Sequence, residues 1–187
     1  MLNIRKVALC AAMGLAVSGF ALAPAAYAGM EKTVEVGGAP MFPSKNIVEN
    51  AINSKDHTTL VAAVKAAGLV DTLVSPGPFT VFAPVNRAFD KLPAETLLKP
   101  ENKDKLAGIL TYHVVPGKYS AEDLMREVMK GNGKAMLKTA KGEELTVTQE
   151  GRKLEIVDAS GNKSLVTIAD VFQKNGVIHV ADTVLLP

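Results

Sequence analysis

The spacing of apolar residues changes once along this chain, and that change constrains the fold more than any other feature. Before residue 134, apolar residues recur three or four positions apart, as in the run from 60 to 67, which indicates amphipathic helices. After residue 134, apolar and polar residues alternate, which indicates strands. Helices precede strands, and no strand–helix alternation repeats. We therefore predict an α+β domain with a mainly antiparallel sheet rather than a doubly wound nucleotide-binding fold.

Several elements carry signals at their ends. Ser120, with Asp123 three residues later, forms a capping-box pattern, and Gly131 ends the same predicted helix. The segment GPFTVFAP, residues 77–84, predicts a short apolar strand bounded by prolines. Alternation on both sides of residues 150–152 predicts a β-hairpin. These signals place one helix, one early strand and one late hairpin.

The first 28 residues have the order of a secretory signal peptide. Arg5 and Lys6 give a basic start, residues 7–23 carry no charge, and the sequence AYA at 26–28 is typical of a cleavage site. A membrane anchor is the alternative, but 17 uncharged residues are short for a membrane span. We predict cleavage after residue 28, export to the periplasm or the medium, and no transmembrane segment in the mature chain.

Removal of this signal peptide changes the charge and the cysteine count. The 21 basic residues of the 187-residue chain fall to 19, equal to the 19 acidic residues. A net charge of zero, with basic residues spread singly, argues against nucleic acid as a partner. The single cysteine, Cys10, is lost as well, so the mature protein must be held together without disulfides.

Composition predicts two further boundaries. Residues 29–43 contain Gly37, Gly38 and two prolines, which predicts a flexible or loosely packed leader. The patterned sequence runs from about Ser44 to Pro187 without an internal repeat or a second stretch of membrane length. We expect one domain over 44–187, with no C-terminal anchor.

Motifs for catalysis or metal binding are missing from the sequence. It contains no G-x-S-x-G and no H-E-x-x-H, and its histidines lie 56 and 66 residues apart, too far for two of them to chelate a metal from one helix or hairpin. We expect no cofactor, no metal and no catalytic residue. Convergence of His113 and His179 with a carboxylate in the folded chain stays an open alternative. The candidate carboxylates are Asp90, Asp170 and Asp182.

The three histidines differ in their predicted surroundings. His57 follows Asp56, a candidate helix N-cap, so we expect it to be exposed in a first helical turn. His113 and His179 lie in apolar runs, where an imidazole needs hydrogen bonds at both ring nitrogens and tends to stay neutral. We interpret these two as hydrogen-bonded core residues that connect the first half of the chain to the second.

Three ordered segments resemble the fasciclin domain family. TVFAPVNRAF at 80–89 is similar to the first signature block, YHVVPG at 112–117 to the tyrosine–histidine element, and NGVIHVADTVLLP at 175–187 to the second block. The helical segment at 46–73 is similar to the opening helices of the family. The resemblance implies a fasciclin-like wedge of mainly antiparallel strands with helices packed around them. It also implies an extracellular or periplasmic adhesion or interaction module without enzymatic activity.

The resemblance also carries roles to particular residues. The tyrosine–histidine element, linked to receptor binding in animal members, falls on Tyr112 and His113, although their apolar neighbours favour a structural role. Asn86 resembles the asparagine of the first block, which we interpret as a helix cap, and we take His179 to be structural as well. Val85 departs from the family, which often has a small hydroxyl residue there.

Three functions are compatible with the sequence. The first is an exported module that binds a protein or glycan partner at a cell surface or in a matrix. The second is a periplasmic binder of a small hydrophobic or glycan ligand, which requires a concave apolar pocket. The third is a hydrolase-like enzyme using His113 or His179, which requires a histidine that solvent can reach. The oligomeric state is left open.

Overall fold

Helices occupy the first half of the chain and most strands the second in the computed structural model, which describes residues 33–92 and 99–187. The helices are α1 (Ile47–Ala51), α2 (Thr58–Ala67), α3 (Val70–Val74), α4 (Asn86–Phe89), α5 (Lys103–Tyr112) and α6 (Ala121–Lys130). The strands are β1 (Val34–Val36), β2 (Ala39–Met41), β3 (Phe79–Pro84), β4 (Val114–Pro116), β5 (Lys134–Lys138), β6 (Glu144–Glu150), β7 (Lys153–Val157), β8 (Lys163–Gln173) and β9 (Gly176–Ala181). The predicted α+β class is confirmed.

Seven strands form one mixed sheet in the order β4-β3-β9-β8-β7-β6-β5. Neighbouring strands are antiparallel except for β3 and β9, which run parallel with Val81 opposite Ile178. The two edges of the sheet approach each other, because the N–H of Ala140, just after β5, donates to the carbonyl of Val114 in β4 at 2.7 Å. The sheet is therefore nearly closed, and one of its faces encloses apolar side chains.

Local signals explain the elements that the sequence predicted. In the β6–β7 hairpin the inward residues are buried at every second position, with Val147 opposite Ile156. The N–H of Asp123 donates to Oγ of Ser120 at 3.1 Å, and the Asp123 carboxylate accepts from the N–H of Ser120 at 3.1 Å. The predicted hairpin and the predicted capping box of α6 are both confirmed.

Apolar side chains pack into two clusters on either side of β3 and β9. The helix-side core includes Val36, Met41, Ile47, Leu60, Val64, Leu73, Val81, Ile109 and Ile178. The sheet-side core includes Phe82, Tyr112, Leu124, Leu145, Val147, Leu154, Ile156 and Leu185. Successive residues of β3 alternate between the two clusters, because neighbouring side chains of a strand point to opposite faces. Burial on both faces explains why β3 and β9 read as continuous apolar runs.

The expected flexible leader is instead ordered over 33–43. Strands β1 and β2 form a hairpin around Gly37 and Gly38, and Val36 and Met41 are buried in the helix-side core. Both glycines have positive φ, as a two-residue hairpin turn requires, and the carbonyl of Gly37 accepts from the N–H of Lys55 at 3.2 Å. The leader prediction was wrong here because the Gly-Gly pair is a turn between short strands rather than a sign of flexibility.

Some predicted features lie outside the described residues. The signal peptide over 1–28 and the first residues of the leader, 29–32, belong to this group. Within the described ranges, the structure has no helix with the length and hydropathy needed to cross a membrane.

Candidate functional site

Tyr112, the last residue of α5, has a fully buried side chain with a satisfied hydroxyl group. The hydroxyl donates to the carbonyl of Glu144 at 3.1 Å and accepts from the N–H of Ala159 at 3.0 Å. Burial raises the pKa of this phenol, while the hydrogen bond from Ala159 acts in the opposite direction. The side chain thus connects α5 to the β5–β6 turn region and to the loop after β7, and it offers no surface to a partner in this conformation.

His113 follows directly and is 2% exposed. Its Nε2 accepts from the N–H of Leu185 at 3.0 Å, and Nδ1 lies 2.8 Å from the carbonyl of Ile109. Because a backbone N–H can only donate to Nε2, the ring proton must lie on Nδ1 and point to Ile109. Burial lowers the pKa of His113 to about 4, so the ring is neutral at neutral pH. His113 therefore connects α5 to the segment that follows β9.

His179, in the centre of β9, is also buried and doubly hydrogen-bonded. Its Nε2 donates to the carbonyl of Tyr119 at 2.9 Å, and Nδ1 accepts from the N–H of Asp170 at 3.4 Å. The ring stacks on Phe82, with centroids 5.7 Å apart. Burial lowers the pKa of His179. Both His113 and His179 thus have the surroundings expected of core histidines.

The catalytic alternative fails on this geometry. Each ring nitrogen of His113 and His179 bonds to the main chain, and neither ring is hydrogen-bonded to the carboxylate of Asp90, Asp170 or Asp182. The Asp170 carboxylate accepts from the N–H of Ala121 at 2.7 Å instead. No group of three histidine, cysteine or acidic side chains among the described residues is placed to hold a metal. A hydrolase mechanism through His113 or His179 needs a histidine that solvent can reach, and neither is one.

Asn86 has a structural role different from the predicted one. It is the first residue of α4, whose N-cap position is held by Val85 without a side-chain hydrogen bond. The side-chain Oδ1 of Asn86 accepts from the N–H of Thr59 at 3.0 Å, and its side-chain Nδ2 donates to the carbonyl of Lys55 at 2.7 Å. Asn86 therefore caps the start of α2 across 27 residues of sequence.

The prediction for His57 was wrong. The His57 side chain is 3% exposed, and His57 is the last residue of a 3₁₀ turn. Asp56 does not cap α2. The Ser54 hydroxyl lies 2.9 Å from Nδ1 of His57, whereas Nε2 is the one buried side-chain nitrogen or oxygen without a hydrogen-bond partner in the described ranges. Burial lowers the pKa of His57; the nearby Ala83 carbonyl and Asp56 oppose this shift without reversing it. The cap that Asp56 was expected to supply comes from Asn86.

Sequence reasoning missed a buried polar cluster between α1 and the β8–β9 turn. Asn175 accepts from the N–H of Ile47 at 3.1 Å and donates to the carbonyls of Leu73 at 2.7 Å and Ser75 at 3.0 Å. Asn50 donates to the side-chain oxygen of Gln173. The only local signal was the Asn-Gly pair of the β8–β9 turn, which predicts a turn but not its partners 100 residues away.

Two surface features are accessible to a partner. The first is the α6–β5 surface, made by Glu127, Lys130, Lys134 and Met136, where Met136 is 66% exposed. A shallow concavity lies between the end of α6 and β5. The second is the helix-side cavity, an apolar pocket of about 90 Å³ beneath α1, α2 and α3. This cavity is the concave apolar feature that a small-ligand function requires.

The fold and the buried contacts define an α+β domain whose tyrosine–histidine element is part of the interior. Comparison with known proteins then specifies the family. The chain belongs to the fasciclin domain family, whose model, Fasciclin domain, matches residues 55–187.

Three similar proteins illustrate the range of this family. Protein sll1483 of Synechocystis is 46% identical over 186 residues, which are 98% of this chain and 96% of that protein. The cell surface glycolipoprotein MPB83 of Mycobacterium bovis is 32% identical, over 88% of this chain and 65% of that protein. A solved pair of FAS1 domains from the insect cell adhesion molecule Fasciclin I superposes with a TM-score of 0.69 at 22% identity, covering 78% of this chain and 52% of that one. The last comparison shows the fold alone.

Proposed function

We propose that this protein is an exported, non-enzymatic interaction module that binds a protein or glycan partner at a cell surface or in a matrix. The observation that carries the proposal is the exposed Met136 of the α6–β5 surface in a chain of the fasciclin domain family. Its similarity to a cell surface glycolipoprotein supports a location outside the cytoplasm. The signal-peptide pattern of residues 1–28 supports export.

The contact surface is proposed at α6–β5 rather than at Tyr112 and His113. A contact through those two side chains would need their release from the core, with loss of hydrogen bonds to four backbone groups. Methionine, by contrast, is flexible and polarizable, which suits it to contact surfaces. Lys134 adds positive charge that attracts an acidic partner, whereas Lys130 is paired with Glu127 at 2.8 Å.

The test is binding of the purified chain to cells of the organism that exports it. We expect the substitution Met136→Glu to weaken binding at least about tenfold with an unchanged melting temperature, because a charge replaces the apolar contact. Ile52→Glu is the matched control: Ile52 is also an exposed apolar residue, but it lies just after α1. Equal binding by Met136→Glu and the wild type would contradict the assigned surface.

A second arm tests the tyrosine–histidine element itself. Tyr112→Phe and His113→Gln should lower the melting temperature, and binding should fall only as far as unfolding explains. A loss of binding at an unchanged melting temperature would instead make Tyr112 or His113 a contact residue and overturn the proposed location.

A further inference from the structure

The helix-side cavity has an apolar interior that is large enough for one end of a ligand but not for a whole ligand. Its walls come from α1–α3 and the central strands, and its volume is about 90 Å³. An engineered apolar cavity of about 150 Å³ holds benzene, and one water occupies about 30 Å³ of liquid. A space of about three water volumes with apolar walls is therefore suited to the end of an aliphatic chain. The innermost wall residues are Ile47, Leu60, Val64, Leu73, Val81 and Ile178.

The cavity has a mouth through which the rest of a ligand can extend. Ala51, Val61 and Leu69 line it and are only partly buried, so they lie between the interior and the surface. Lys65 and Thr72 also line it and are exposed. The exposed polar lining residues are thus at the outer end, and the buried lining is apolar except for His57 and His113, which matches the polarity of an amphiphile.

The charge at this mouth has one sign. Lys65 is the one formally charged side chain among the described lining residues at neutral pH, because burial lowers the pKa of His57 and keeps that ring neutral. No aspartate or glutamate is part of the described lining. The ion pairs of the described ranges involve other residues, so the Lys65 ammonium is free to bind an anion.

From this arrangement we propose that the helix-side cavity binds the end of a short aliphatic chain whose anionic head group, a carboxylate, lies beside Lys65. The apolar walls bind the chain by removing it from water, with a gain of about fourfold in affinity for each methylene that becomes buried. The lysine selects the sign of the head group. This site is separate from the α6–β5 surface and does not depend on the proposed adhesive function.

The experiment titrates the purified chain with sodium octanoate, below its micelle-forming concentration, and follows methyl resonances by NMR. We expect saturable shifts at Val61, Val64 and Leu69. Octyltrimethylammonium, which has the same chain and the opposite charge, should bind more weakly, and acetate should leave these methyl groups unshifted. Equal shifts with acetate would mean an adventitious ion only, and an absence of saturable shifts with octanoate would equally overturn the proposal.

Two substitutions test the cavity and its charge separately. Ala51→Phe places a ring at the mouth and should abolish octanoate binding, whereas Ala62→Phe, at an exposed alanine of α2 that does not line the cavity, should retain it. Lys65→Gln should weaken octanoate binding about two- to fivefold, as for an exposed ion pair, and leave binding of uncharged octanol unchanged. Octanoate binding by Ala51→Phe at the wild-type affinity would overturn the assigned site.

Melting temperatures of all variants identify folding defects. If Ala51→Phe does not fold, Lys65→Gln decides the outcome, because Lys65 is exposed and its substitution leaves the core intact. Unchanged octanoate affinity in Lys65→Gln would then contradict the head-group assignment.

Discussion

The surroundings of His113 and of His57 differ in how completely the protein satisfies a buried imidazole. His113 has a backbone partner at each ring nitrogen and links two distant segments of the chain. His57 has one partner, Ser54, and its other nitrogen is unpaired in the wall of a cavity. A fully bonded group resists any change in its surroundings, because movement leaves polar atoms unpaired. His113 thus stabilises the fold through two backbone contacts, whereas His57 borders a cavity with one ring nitrogen unpaired.

The largest predicted effect is at Tyr112. Tyr112→Ala should lower the free energy of unfolding by about 3–5 kcal/mol, because it opens a cavity in the sheet-side core and leaves buried backbone groups unpaired. Urea denaturation measures this change. Val61→Ala, at the partly buried mouth of the cavity, is the control and should lose about 1 kcal/mol or less. Equal losses at both sites would mean that the two regions are packed equally well.

Acid should act through the buried histidines. The folded-state pKa of His113, about 4, lies below the ordinary value of 6.5, so the folded protein binds fewer protons than the unfolded chain between these pH values. The contribution of the neutral His113 ring to the free energy of unfolding is fully present above pH 6.5. It is lost as the pH drops towards 4, which lowers the free energy of unfolding by about 3 kcal/mol. The lowered pKa values of His57 and His179 act in the same direction.

Chemical denaturation between pH 7.5 and 4.5 measures this dependence. His113→Gln should be less stable than the wild type at pH 7.5 and should show a shallower decline towards pH 4.5. A decline as steep as that of the wild type would mean that groups other than His113, such as His57, His179 or carboxylates, set the acid response.

An intermediate effect is expected at Asn86. Asn86→Ala should lower the free energy of unfolding by about 1–2 kcal/mol, because the start of α2 loses its cap and the Lys55 carbonyl loses a donor. Asn53→Ala is the control, since Asn53 makes one exposed hydrogen bond, to the carbonyl of Glu49. Thermal unfolding distinguishes them, and similar losses in both variants would contradict the capping role.

The smallest effect is expected at His57, and it tests the comparison most directly. His57→Leu should change the free energy of unfolding by less than about 1 kcal/mol, because it removes an unpaired nitrogen and leaves only the Ser54 hydroxyl without a partner. His113→Leu should cost about 1–3 kcal/mol, because both backbone partners lose their hydrogen bonds. A larger loss at His57 than at His113, measured by urea denaturation, would reverse the proposed contrast.

Features specified by neighbouring residues could be predicted from the sequence. The capping box of α6 depends on Ser120 and Asp123, three positions apart, and the β6–β7 hairpin depends on alternation around one turn. The change from helical to alternating apolar spacing near residue 134 predicted the fold class in the same way, and the fasciclin resemblance implied the same class.

Features that depend on distant residues could not be predicted. The capping of α2 by Asn86, the partners of Asn175 and the burial of His57 each require knowledge of which segments meet. The cavity could not be predicted for the same reason, because it is formed by distant segments. Lys65 and Ala51 belong to separate helices, and only the packing of α1 beside α2 brings them to one opening. Periodicity identifies the buried face of a helix but not its neighbour.

The parallel pairing of β3 with β9 also has a consequence for how the chain acquires its structure. Phe79 pairs with Gly176, so the two central strands come from positions almost a hundred residues apart. Both cores are built on these strands, and neither can be completed before residues 176–181 are available. Pairing across such a distance slows folding, because the entropy of closing the long intervening loop is lost before the contacts between the strands form. The chain is therefore expected to refold more slowly than a helical bundle of the same length.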